Sequence, residues 1–375
     1  MTNDATATDA APGAPPIALD PARVRRILVC QLRQIGDVLL STPAIHLLRG
    51  RFPGAEIHLL TEAKAVPVVQ GNPDIARIHA VDRKAHRDPR AQLAFYLDVA
   101  RNRYDLLVDF QQLPRIRWVL ALARLFPPRG GRQVRLSCRA PWYNRWLYTH
   151  TVRPQDGYAA MSKASVLRPL GIHWNGEAPR MHLAPGELAG ADAILAEHGI
   201  GPEHVLITVD PTHRRDTRRW PAEHFGRLAA LAAAGNPALR FLVLHGPGEL
   251  PEARAVAEAA GTPACVVTRR MLTLREMAAC IARAALHVGN CSAPRHIAVA
   301  VGTPTLTILG STSSAWTFPG PNHADLRLGL DCQPCNENTC PLGQARCLTD
   351  LEPETVLPAL MARLRAGKGD AAPCA

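Results

Sequence analysis

The sequence lacks any uninterrupted apolar run of the roughly 18 residues that a membrane-crossing helix requires. Its first twenty residues, MTNDATATDAAPGAPPIALD, hold no Lys or Arg and no apolar block. That argues against a secretory signal and reads as a disordered Ala/Pro tail, with the cytoplasm as the default compartment. Aromatics make up only 5% of the chain, and the basic residues are not interleaved with them. A stacking platform for single-stranded nucleic acid is therefore disfavoured. The first strand–turn–helix, ILVCQLRQIGDVLLSTPAIHLL, is short of glycine: one residue, Gly36, stands where a dinucleotide fingerprint needs three. An acid, Asp37, follows it and would repel a pyrophosphate, so NAD or FAD binding at this turn is disfavoured, and with it a nicotinamide oxidoreductase.

Negative charge is also in deficit. Lys and Arg number 43 against 32 Asp and Glu, a net charge of +11. This balance favours an anionic partner such as a nucleoside diphosphate, a phosphorylated glycolipid or an acidic membrane surface.

What is present is an alternation of short branched apolar runs with stretches of helical length. RILVCQ (26–31), AEIHLLT (55–61), ARIHAV (76–81) and YDLLVDF (104–110) form one series. HVLITVD (204–210), RFLVLHG (240–246), ACVVT (264–268), LHVGN (286–290) and TLTILG (305–310) form a second. The pattern predicts α/β architecture with two doubly wound parallel sheets. Residues 172–202 have few strand signals and several Gly and Pro, and read as the interdomain connection. The expected segments are a tail at 1–22, domains at 23–185 and 186–352, a C-terminal helix at 353–367 and a frayed end at 368–375. That last helix could pack back across the first domain.

Four segments sit where strands hand over to helices. Asp37 lies near a helix N-terminus, at the crevice end of its strand, where a carboxylate can cap the helix or accept a proton from an incoming hydroxyl. Pro43 either kinks that helix or starts a new one with Thr42 as its cap. DPTHRRDTRRWPAEHF (210–225) carries Arg214, Arg215, Arg218 and Arg219, forked donors able to clamp a diphosphate. HGPGE (245–249) offers Glu249 as an acceptor for a ribose hydroxyl. In GNCSAPRHIAVAVG (289–302), the helix start around Ser292 and Ala293 can bind phosphate, with His296 one turn in.

Cys332, Cys335, Cys340 and Cys347 are spaced C-x2-C-x4-C-x6-C. Four thiolates at this spacing suggest structural zinc or an iron–sulfur cluster, with no catalytic role implied.

Taken together, RILVCQLRQIGDVLLSTPAIHLLRGRFPGAEIHLLTE, GNPDIARIHAVDR, YDLLVDFQ, TRRWPAEHF, HGPGE, LHVGNCSAPRHIAVAVGTPTLTILGST and CQPCNENTCPL resemble the family 9 glycosyltransferases, the bacterial ADP-heptose:lipopolysaccharide heptosyltransferases. The resemblance runs from about residue 24 to 365. It implies a GT-B fold of two facing Rossmann-like domains, acceptor on the first and nucleotide sugar on the second. It implies an inverting transfer of heptose or a related sugar from an ADP-sugar to a lipopolysaccharide-core acceptor at the anionic inner membrane, without a catalytic metal. Asp37 matches the family's general base. Thr212, Arg218 and Arg219 fall in its donor-phosphate loop, Glu249 matches its ribose-binding acid, and Ser292, Ala293 and His296 match its diphosphate-binding helix start. The chain departs from the family pattern at Cys291, where an Asp is usual, at Ala293 for Gly, and at Arg295 for an apolar residue. Cys291 supports an alternative, a non-catalytic GT-B protein that binds nucleotide or glycan.

Overall fold

A computed structural model describes residues 17–82, 85 and 87–367. The expected tail over 1–16 and the frayed end at 368–375 lie outside the described residues. Residues 17–22, assigned to the tail from sequence, are tied down at their start: the Ile17 amide donates to the Pro169 carbonyl at 2.6 Å. The chain divides into two compact units between Arg180 and Met181.

The first unit is built on six strands, β1 (Arg26–Cys30), β2 (Glu56–Glu62), β3 (Arg77–Val81), β4 (Leu106–Asp109), β5 (Val134–Cys138) and β6 (His150–Val152). They are parallel throughout, in the order β3-β2-β1-β4-β5-β6. Central strands β1 and β4 are apolar on both faces because helices cover both, so they read as continuous hydrophobic runs rather than alternating ones. Leu28, Cys30 and Leu107 pack there against Tyr96, Tyr104 and Val119. Pro43 resolves as a fresh start. One helix covers Ile35–Leu39, a second covers Thr42–Arg51 with Pro43 in its first turn, and the cap residue is Ser41 rather than Thr42.

The second unit repeats the plan with β7 (Val205–Asp210), β8 (Leu239–Val243), β9 (Cys265–Val267), β10 (Leu286–Asn290), β11 (Thr305–Ile308) and β12 (His323–Leu326). Its order, β12-β11-β10-β7-β8-β9, is the first sheet's order counted from its own first strand. Each sheet therefore reverses direction once, between β1 and β4 and between β7 and β10. Those reversals open a crevice beyond the strand ends where open α/β sheets bind ligands.

One expectation is corrected here. The 172–202 segment is not bare connection, because Pro185–Glu197 is a helix that buries Ala191, Ile194 and Leu195. Pro185 sits in its first turn, where a proline costs nothing, and Glu187 accepts from the Ala184 amide at 2.8 Å and from Arg275. The C-terminal helix, Pro353–Ala366, is a helix of the second unit. Val356 and Leu360 are part of the second unit's core, beside Trp220, Phe225 and Leu306.

Candidate active site

In the first unit, the turn after β1 is held by side chains from the neighbouring strand end. The Gln111 carbonyl oxygen accepts from the amides of Leu32 and Arg33, each at 3.0 Å. Gln111 is itself placed by Asp109, whose buried carboxylate accepts from the amides of Gln111 and Gln112 and from the Tyr148 hydroxyl at 2.7 Å. Burial pushes the Asp109 carboxyl up, against those three donors, which pull it down.

Asp37 sits on the short helix that this turn feeds. Its Oδ2 accepts from the Gln34 amide at 3.2 Å, the back-bond of a helix-capping acid. Its Oδ1 faces Lys163 Nζ at 3.0 Å, and the same ammonium donates to buried Gln31 Oε1 at 3.0 Å. The Asp37 side chain remains 23% exposed, so a solvent-borne hydroxyl reaches it. The capping role and an acid–base role are thus compatible at one residue. Lys163 carried no sequence signal: it lies 126 positions away on a helix over Ala159–Ala164.

In the second unit, the ends of β7, β8 and β10 converge. Thr212 Oγ1 lies 2.8 Å from Glu249 Oε2 and 3.2 Å from Asp210 Oδ1. Glu249 Oε2 also accepts from the Gly246 amide at 2.7 Å, and the Ser292 hydroxyl donates to Asp210 Oδ2. Ser292 occupies the N-cap position of the helix Ala293–Ala300 but turns its hydroxyl to Asp210, so it does not cap the helix amides. The first-turn N–H groups, which have no acceptor within their own helix, stay available to an anion. Asp210 is the functional candidate that sequence reasoning missed. Burial, with the Glu249 charge beside it, raises its carboxyl to about 7 against the pull of Ser292 and Thr212. Gly289 makes the room: a Cβ there would lie 2.8 Å from the Asp210 carbonyl oxygen across the β7–β10 register.

The arginine loop is pinned at both ends. Asn290 accepts from the Trp220 amide at 3.0 Å and donates to the Pro211 carbonyl at 2.7 Å. Fully buried Trp220 donates its indole N–H to the Leu351 carbonyl at 2.9 Å. Between these anchors, Arg218 is half-buried with its Nε lacking a partner. Burial and neighbouring Arg215 depress its guanidinium, and the Cys291 and Cys335 thiols oppose that shift. His213 is held neutral, lowered to about 4 by burial and by the Arg218 charge. Arg219 is spoken for locally: it pairs with Asp216 and lies 3.8 Å from Glu252. Arg214 is exposed. His296 is buried, edge-on to Trp316 at a centroid distance of 6.2 Å. Cys291, also buried, follows Asn290 at the end of β10.

The cysteine-rich segment does not fit a metal. Cys332 is exposed and Cys347 buried, and among the described residues no group of three or more His, Cys, Asp or Glu side chains is placed to hold an ion. Cys340 is instead wrapped by the backbone amides of Ala345, Leu342, Gln344 and Gly343, which lower its thiol. What the segment does is brace the arginine loop. Thr217 Oγ1 donates to the Glu337 carbonyl at 2.8 Å, and the Gln333 amide donates to the Gly310 carbonyl at 2.9 Å. The Asn336 N–H closes the set on the Ser311 carbonyl at 2.8 Å.

Residues 93–346 match the family model described as glycosyltransferase family 9 (heptosyltransferase). Lipopolysaccharide heptosyltransferase 3 of Escherichia coli is 30% identical over 299 residues, which span 78% of this chain and 85% of that protein. Among solved structures, a family 9 glycosyltransferase from Veillonella parvula superposes with a TM-score of 0.79 at 22% identity, over 94% of this chain and 99% of its own. The E. coli ADP-heptose lipopolysaccharide heptosyltransferase II superposes with a TM-score of 0.71 at 19% identity, over 91% and 98%. These two likenesses carry the GT-B fold, and the sequence match carries the family. The non-catalytic alternative finds no support in these relatives. The chain belongs to glycosyltransferase family 9, and it is a glycosyltransferase.

Proposed function

We propose that this enzyme moves heptose or a related sugar from an ADP-sugar to a lipopolysaccharide-core acceptor, with inversion at the anomeric carbon. The relatives' named activities support this substrate class. The observation that carries the chemistry is the Asp37–Lys163–Gln31 arrangement: a reachable carboxylate held in one orientation by a cation and a backbone amide.

In this reading Asp37 takes the proton of the acceptor hydroxyl as its oxygen bonds to the anomeric carbon. The bond from that carbon to the donor phosphate breaks, and ADP leaves with one more negative charge. Arg218 and the free amides at the start of the Ala293–Ala300 helix receive that charge, so the step needs no metal. Thr212, Arg218, Arg219, Glu249, Ser292, Ala293 and His296 form the donor side, with Glu249 taking the ribose. Asp210 keeps Ser292 and Thr212 in place. The acceptor is a lipid-linked glycan, so the enzyme works in the cytoplasm against the anionic inner face of the inner membrane.

Asp37→Asn tests the base. Transfer should fall by about 10²–10⁴-fold while ADP affinity, read by calorimetry, stays unchanged. Near-normal turnover in the variant sinks the assignment. Tighter binding of UDP or GDP than of ADP would overturn the donor assignment and leave the family untouched.

A further inference from the structure

Between Phe110 and Gln155 the chain contains nine arginines and no Asp or Glu. Three of its six tryptophans, Trp118, Trp142 and Trp146, fall in the same stretch. The expectation that basic and aromatic residues do not interleave fails here, in RIRW and RAPWYNRW.

The structure gathers some of these residues into one patch on the first unit and leaves its aromatics in water. Trp142 is 83% exposed, Trp118 59%, Trp146 57% and Tyr143 50%. A 3-10 helix over Trp142–Leu147 buries only Asn144 and Leu147 and turns its three aromatics outward. Together with the helix Pro114–Ala123 it walls an open groove of about 320 Å³, lined by Pro114, Arg117, Trp118, Tyr143, Trp146 and Leu147. Cations are stacked on the rings: the Arg117 guanidinium lies 5.7 Å from the Tyr143 centroid and that of Arg124 5.2 Å from Trp146. Arg139 and Arg145, which flank Trp142 in sequence, are exposed, and Leu125, next to Arg124 in the chain, is 70% exposed.

Exposed tryptophans carry a large apolar area and one polar N–H, the combination that settles at the headgroup level of a bilayer. Guanidiniums at the same height meet lipid phosphates. Stacking a single-stranded nucleic acid uses free ring faces, and here one face each of Tyr143 and Trp146 already carries an arginine, which disfavours that ligand. We propose that this arginine–tryptophan patch is the surface by which the enzyme docks on an anionic lipid bilayer. The proposal rests on the membrane-linked acceptor for its purpose, and on the patch alone for its chemistry.

The test is co-sedimentation of the full chain with vesicles of phosphatidylcholine alone or mixed with phosphatidylglycerol. It is joined by quenching of tryptophan fluorescence by lipids brominated on their acyl chains. Wild type should bind the anionic vesicles, release them as salt rises, and be quenched. Trp142→Ala/Trp146→Ala should lose most of the quenching and at least tenfold in partitioning. Arg139→Gln/Arg145→Gln should lose about fivefold per charge. Both variants alter exposed side chains and should keep wild-type ADP affinity and normal transfer to a short lipid-free acceptor. Equal binding to neutral vesicles, unchanged partitioning in both variants, or tighter binding to an oligothymidylate than to anionic vesicles overturns the proposal. Vesicle binding is read without donor or acceptor, so it stands or falls separately from the assigned reaction.

Discussion

A carboxylate near a helix start has two ordinary occupations, and Asp37 shows why they need not compete. One oxygen faces the Gln34 amide and the other the Lys163 ammonium, and each oxygen keeps a lone pair for a third group. Removing Lys163 should therefore cost orientation rather than the base itself. Lys163→Met is expected to lower kcat by up to about 100-fold with donor KM unchanged, since a small misplacement of a reacting group is enough for that loss. A raised donor KM instead would place Lys163 in binding. Asp37 was legible from its place after a strand; Lys163 was not, because nothing in a lone lysine far along the chain announces what it faces.

Asp210 is the other residue-scale lesson. It closes the apolar run HVLITVD without any role of its own in the sequence, and only the fold reveals its burial beside Glu249. Its folded value of about 7 stands above the 3.8 of a free carboxyl, so the native state holds this proton more tightly than the unfolded chain. The associated stability is full below about pH 4 and is lost as pH rises through about 7, by at most about 4 kcal/mol. Asp210→Asn should flatten that slope: scanning calorimetry from pH 5 to 8 should show Tm changing less in the variant than in wild type. Identical slopes would mean another group titrates.

At the scale of elements, the loop proposed to hold the donor is tied to segments on either side of it. Thr217 is tied to the cysteine-rich segment, and its backbone runs hard against the end of β11. A Cβ on Gly310 would collide with the Thr217 carbonyl oxygen and lie 2.8 Å from a Leu348 methyl. Gly310→Ala should push the arginine loop outward, lowering stability by about 1–3 kcal/mol and weakening ADP binding more than acceptor KM. Unchanged ADP affinity would show that the loop tolerates the shift.

The strands were readable wherever they are buried on both faces, as β1, β4, β7 and β10 are. Strands β5, β6 and β12 were not, because VRLSC, HTV and HADL interrupt their apolar residues with polar or charged ones. The helix at Pro185–Glu197 was hidden by its own Pro and Gly. Four cysteines invited a metal by their spacing. Burial raises the Cys347 thiol and the other three lie near enough to add to it, yet among the described residues no three are placed to hold an ion. Their segment proved to be a strut.

At the scale of the whole molecule, the same strand order serves twice, and the proposed reading puts a proton acceptor at one order reversal and anion-holding groups at the other. ADP binding should therefore be felt unequally. Hydrogen exchange should show protection over 211–220, 245–249 and 290–296, with little change over 31–40. Equal protection of both regions would argue against placing the nucleotide on the second unit. That both units share one α/β plan was apparent from the restarting pattern. The proposal that the second unit holds the phosphates rests on the run Arg214–Arg219 at the end of one strand, since arginines are at least as plentiful in the first unit.

Charge is distributed as unevenly as function. The nine arginines without an acid between Phe110 and Gln155 leave a net of only two positive charges to the remainder of the chain. A body charged in this way is an electric dipole as well as a cation. In a field it experiences a torque before any atom touches, and it arrives at a negative surface already turned. Ionic strength would then govern how often an encounter begins in the right orientation, independently of how firmly the tryptophans hold once they are in.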